Sequence, residues 1–134
     1  MGAVVILGRD AILAAQDAVT EQVDVPEWGG AVLVKAMSGE QRDAFEKSIL
    51  KDKADPSKGV EMRDFRARFA ARVIVDAKGT RLFTDEDVKA LSRKSAKALD
   101  RVYDAGARLA GLRKEDAERL AGNSDAQSDG STTD

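Results

Sequence analysis

The sequence predicts an α+β fold, mostly helical, in which an N-terminal β-hairpin packs against a bundle of about four helices. Three observations lead there. Residues 23–45 read as two strand-like arms around a glycine pair, running directly into a capped helix. Further on, apolar residues recur at spacings of three and four along residues 60–76 and again along 88–112. Finally, two strands alone are marginal in water, so a hairpin of this size needs the downstream helices against one of its faces.

In the first arm Val19, Val23 and Val25 share one face, and Thr20, Gln22 and Asp24 share the other. That period of two suits a half-buried strand. Pro26 cannot donate to a ladder and marks a strand end or edge. Trp28, Gly29 and Gly30 form the turn, with glycine supplying the positive φ that a tight turn requires. The return arm, residues 31–37, is apolar at nearly every position and is expected to be covered on both sides. Ser38 then opens a helix, with Gln41 at capping-box spacing.

Ahead of the hairpin, GAVVIL at residues 2–7 is expected as a third short strand or a loose N-terminus, and residues 9–19 as a short helix. Behind it, residues 40–51 form a helix with Met37, Ala44, Phe45, Ser48 and Ile49 along one face. KDKADPSKG at 51–59 has no large apolar side chain and reads as a solvated loop. The next helix is predicted over 60–76, with a stripe of Met62, Phe65, Phe69 and Val73 widened by Ala70 and Ile74 and a left-handed cap at Gly79. Leu82 and Phe83 link it to Thr84, whose capping partner is Asp87. Val88, Leu91, Ser95, Ala98, Val102, Ala105, Leu109 and Leu112 then make a heptad-like seam, interrupted near Arg93 and ended by Gly111. A last helical turn is expected at 115–120. Residues 1–122 are expected to form a single domain, and the polar segment 123–134 a disordered tail.

Composition narrows the chemistry. The chain has 134 residues, 43% hydrophobic and 34% charged, with a net charge of −2, no cysteine and no histidine. There is no basic excess to attract nucleic acid or anionic lipid, no disulfide, no thiolate and no imidazole base or metal ligand. The apolar start is too short for a signal peptide, and no run approaches the ~20 apolar residues of a membrane span. An intracellular compartment is expected.

No cofactor is expected, because every candidate for chemistry has a stronger structural reading. Asp85, Glu86 and Asp87 point about 100° apart on a helix, so capping explains them better than a metal cluster. Arg63, Arg66, Arg68 and Arg72 flank an apolar stripe on both sides and form no single basic face. Gly29 and Gly30 lack the following Lys-Ser/Thr pair and helix start of a phosphate loop. Trp28 either folds back over the hairpin or stands as an exposed anchor for a partner; the first is favoured, since tryptophan is mostly buried. The 88–112 seam, from Val88 to Leu112, reads as a core stripe in preference to a dimer interface.

The segments VDVPEWGGAVLVKAMSGEQRDAFE and LFTDEDVKALSRKSAKALDRVYDAGARLAGL, in that order, resemble the tail assembly chaperones of long-tailed bacteriophages. The resemblance extends over about residues 9–122. It implies a non-enzymatic chaperone of the host cell cytoplasm, absent from the finished virion. Such a protein binds the long helical tape-measure protein and helps tail-tube subunits polymerise around it; many relatives also exist in a longer, frameshifted form. Neither nucleic acid nor membrane is among the implied partners. Trp28, Phe65, Phe69, Val102, Leu109 and Leu112 are the candidate partner-binding residues, and which stripe is core and which is groove stays open at this point. The alternatives are a structural tail or connector subunit, or an adaptor that self-associates through the 88–112 seam.

Overall fold

The computed structural model describes residues 4–111. Its elements run α1 (Arg9–Ala14), β1 (Thr20–Val25), β2 (Gly30–Lys35), α2 (Gly39–Ile49), α3 (Phe65–Val73), β3 (Ile74–Val75), α4 (Val88–Ser92) and α5 (Ala96–Leu109). About half is helical, beside a three-stranded antiparallel sheet, so the predicted α+β class is the observed one.

The hairpin forms where the sequence places it. Side chains along β1 alternate, with Thr20, Gln22 and Asp24 exposed and Val23 and Val25 turned toward the interior. Only Gly29 takes the positive φ, at 80°; Gly30 is already in the strand, opposite Val25. β2 is the middle strand, so its backbone has a strand on either side. Its cover is one-sided, however. Val34 is fully buried on the inner face, whereas Leu33 is half-buried and Ala31 exposed on the outer one.

The helices agree with their caps. Ser38 Oγ accepts from Gln41 N at 3.1 Å and Gln41 Oε1 accepts from Ser38 N at 2.9 Å, so both members of the box are made. α2 buries Phe45 and Ile49. Thr84 and Asp87 make the corresponding box ahead of α4. The seam is divided, with α4 ending at Ser92 and α5 starting at Ala96. Ser95, the polar member of the heptad pattern, caps α5 by accepting from Ala98 N at 3.2 Å. A hydroxyl that breaks an apolar seam is here a helix start.

Residues 4–7 are exposed and outside any strand, the second of the two expectations for this stretch, and α1 buries none of its residues. Three expectations for residues 60–79 are corrected. The third strand comes from Ile74–Val75, the end of the segment expected to be helical. A run of β-branched Val73, Ile74 and Val75 beside the open edge of β2 favours pairing over another helical turn, and Val34 lies opposite Ile74. The same helix starts late because Asp64 sits in the left-handed region with φ 57°, leaving Met62 exposed. Gly79 (φ 86°) therefore serves the turn after β3, where Asp76 N donates to Thr80 O at 2.8 Å, and caps no helix. Leu112, the turn expected at 115–120 and the segment 123–134 lie outside the described residues.

The core centres on four rings. Phe45 meets Phe65 and Phe69 edge-on at 5.6 and 5.5 Å, and Tyr103 meets Phe65 and Phe69 at 5.9 and 5.0 Å. Such geometry sets the quadrupoles edge to face. α5 approaches this cluster closely at Gly106, where an added Cβ would overlap the Phe69 ring. Gly106→Ala gains about 1 kcal/mol of helix propensity against an overpacking cost of about 1–3 kcal/mol. Gly106→Val adds more volume with little propensity, and is expected to lower unfolding free energy by about 2–3 kcal/mol in a urea titration. A Val variant as stable as the parent would contradict the close approach.

Candidate functional site

The surface most suited to recognition lies at the turn end of the hairpin. Pro26, with φ set by its ring, begins a short 3-10 turn that Gly29 N closes by donating to Pro26 O at 3.0 Å. Glu27 then projects to α5, where Arg101 Nε and Nη2 donate to its two carboxylate oxygens at 2.9 and 3.0 Å. A matching fork joins the other end of β1, with Arg108 donating to Glu21 at 2.8 and 2.9 Å. Arg101 and Arg108 stand seven residues, two helical turns, apart on one face of α5. The two forks thus fix how the hairpin lies along that helix.

Trp28, held between these constraints, packs against the core but is only half-buried, and its Nε1 is buried without a hydrogen-bond partner. Its ring forms one wall of a groove of about 520 Å³, with Phe83, Ala90 and Leu91 opposite. Glu27, Asp87 and Lys94 stand at the rim. The floor is therefore apolar and the border charged, the pattern of a recognition surface that remains soluble when empty.

A second, charged cleft of about 310 Å³ lies between α3 and α4 and includes Arg68, Arg72, Asp85 and Lys89. Part of its charge is paired internally. Arg72 and Arg81 both donate to Asp85, at 3.0 and 3.2 Å, while Asp87 accepts from Thr84 N at 2.9 Å. Among the described residues no group of three or more acidic side chains is placed to hold a metal ion. The arginines disperse as the sequence suggests: Arg66 of α3 pairs with Asp100 and lies over the Tyr103 ring at 4.9 Å, and Arg63, just ahead of that helix, faces Glu61 at 3.9 Å.

The structure separates the candidate partner-binding residues. Phe65, Phe69 and Val102 are at most 2% exposed and belong to the core, so they do not meet a partner on the folded surface. Ala98 and Ala105 are buried with Val102, which also removes the seam as a ready dimer face. Trp28 and Leu109 are half-buried at the surface, and Leu112 lies outside the described residues. Sequence reasoning missed the wall opposite Trp28. The signal was there: Phe83 immediately precedes the Thr84 cap, the position from which a hydrophobic residue staples back onto the first turn of a helix. Phe83 and Val88 accordingly pack on the same small cluster of Ala67, Ala71 and Leu91.

A family model described as phage tail assembly chaperone matches residues 8–123. Among solved structures, the tail assembly chaperone of bacteriophage HK97 is similar, with a TM-score of 0.50 and 16% identity over 78% of this chain and 92% of that one. At that identity the likeness shows the fold. No curated protein sequence matches the chain.

The two forks make stability depend on pH. Hydrogen bonds from Arg108 and Arg101 hold the Glu21 and Glu27 carboxyls below the ordinary value of 4.5. Because the folded values are depressed, their stabilising contribution is present above pH 4.5 and disappears as pH falls through the lowered values. The Glu21→Gln, Glu27→Gln double variant is expected to melt lower than the parent at pH 7 and to lose less on acidification below 4.5. Identical pH slopes for variant and parent would show that the forks contribute nothing.

Proposed function

This chain belongs to the phage tail assembly chaperone family, and from that premise we propose that it binds the tape-measure protein and promotes polymerisation of tail-tube subunits around it. The family implies a non-enzymatic role. On this reading the protein works in the host cell cytoplasm and is left out of the finished virion.

One observation carries the proposal: the apolar groove between Trp28 and the Phe83–Ala90–Leu91 wall. Before a tube encloses it, a long helical protein exposes apolar stripes that favour aggregation. A groove with an apolar floor and a charged rim receives such a stripe as a helix laid into a trough, with residues at i, i+3 and i+4 or i+7 as anchors. Trp28 suits the task because it is a large, stiff side chain braced from behind by the core. The chain's 34% charged residues keep the unoccupied chaperone soluble. No helix among the described residues is long and apolar enough to cross a membrane.

Ala90 is exposed on α4 and lines the groove, so a charge there disturbs the surface and leaves the core intact. Ala90→Glu is expected to melt within a degree or two of the parent while its affinity for a coexpressed tape-measure protein falls at least about tenfold, ~1.4 kcal/mol. Copurification at parental levels would place the tape-measure protein elsewhere.

A further inference from the structure

Among the described residues, most of the exposed large apolar side chains fall near the start of the chain. Val4, Val5, Ile6 and Leu7 are 85, 75, 88 and 55% exposed, and Ile12 and Leu13 of α1 are 57 and 68% exposed. The backbone from Val4 to Gly8 is outside any helix or strand. Residues 4–7 lie ahead of the stretch that the family model matches, which begins at residue 8. Three β-branched residues in a row followed by leucine make a strong strand former, here with no strand to join.

The sheet has an open place for one. Its order is β1-β2-β3, so β1 is an edge. Ala36 N donates to Val19 O at 2.8 Å, and the register pairs Glu21 with Val34 and Val23 with Val32. In an antiparallel ladder, alternate residues direct both backbone groups to the same neighbour. The N–H and C=O groups of Thr20, Gln22 and Asp24 therefore face away from β2. An edge of this kind is normally blunted by charge, proline or a bulge. In β1 there is no proline, and Glu21 is turned inward to Arg108, leaving Asp24 as the one charge on the outer face.

We propose that the segment Val4, Val5, Ile6, Leu7 of one copy adds as a fourth strand to the β1 edge of a second copy. The arm of the same chain does not take this place: Val4 to Leu7 stand exposed and outside any strand, and α1, which joins them to β1, buries none of its residues. The edge of a second copy is free of that connection. One side of the added strand extends the inner apolar face beside Val19, itself 49% exposed, and Val23. Main-chain hydrogen bonds supply the affinity, as in other strand additions. The exchange goes beyond the tape-measure reading and needs no other protein.

The purified full chain is expected to have a solution mass at least twice the 14.4 kDa of one copy. Deleting residues 2–8 should give a monomer that still unfolds cooperatively, since Val4 to Leu7 are largely exposed in their own chain, and its melting temperature should no longer depend on protein concentration as that of the full chain does. Gln22→Pro removes only an outward N–H from β1, and should also give a monomer. Mixed together, the deletion copy offers an edge and the proline copy an arm, so they should form a one-to-one pair that neither forms alone. Amide exchange supplies a second readout should the proline variant unfold: Gln22 and Asp24 should exchange at least about tenfold faster in the deletion copy than in the full chain. A monomeric full chain, a deletion copy that still associates, or equal exchange in both would each overturn the proposal.

Discussion

A single contact organises this molecule: the inner face of a hairpin laid along α5. A two-stranded ribbon cannot hold itself in water, and β1 and β2 gain stability by pressing Val23, Val25, Val32 and Val34 onto the core that α5 completes. The remaining architecture adjusts to that contact. α5 reaches α3 through Gly106 and the Phe69–Tyr103 pair, and β3 joins the far side of β2. Glu21 and Glu27 then fix the angle of the hairpin from both ends of the helix. Surface ion pairs contribute little to stability alone. Two bidentate forks one heptad apart on α5 contribute orientation, and orientation decides where Trp28 stands.

How much was legible in the sequence followed the range of the forces involved. The hairpin, both capping boxes and the stop at Gly111 depend on residues a few positions apart, and each was readable from local chemistry. The heptad break was readable too, although the role of Ser95 as a cap emerged only in the fold. What escaped was decided at long range. Nothing near Ile74 says that the open edge of β2 waits for it, so from periodicity alone the β-branched end of the stripe reads as helix. Phe65, Phe69 and Val102 looked as suited to a groove as to a core, because periodicity identifies an apolar stripe without saying what covers it. The groove wall opposite Trp28 was hidden for the same reason: Phe83, Ala90 and Leu91 sit some sixty residues further along the chain.

The proposed binding surface accordingly lies at the border between the two kinds of structure. The turn supplies Trp28, α4 and its entry supply the opposite wall, and α5 sets the distance between them through Arg101 and Glu27. A chaperone of an apolar helical client needs such an arrangement: a groove apolar enough to compete with the client's own aggregation, yet narrow enough to leave the chaperone soluble.

The chain contains one tryptophan, and it stands at the groove. Its fluorescence therefore reports on the central claim without any substitution. Titrating the protein with a soluble helical segment of the tape-measure protein should shift the Trp28 emission to shorter wavelength and shield it from acrylamide, with both changes saturating together. Saturable binding by an independent method, with emission and quenching unchanged, would mean that the client lies elsewhere and that Trp28 serves only the core.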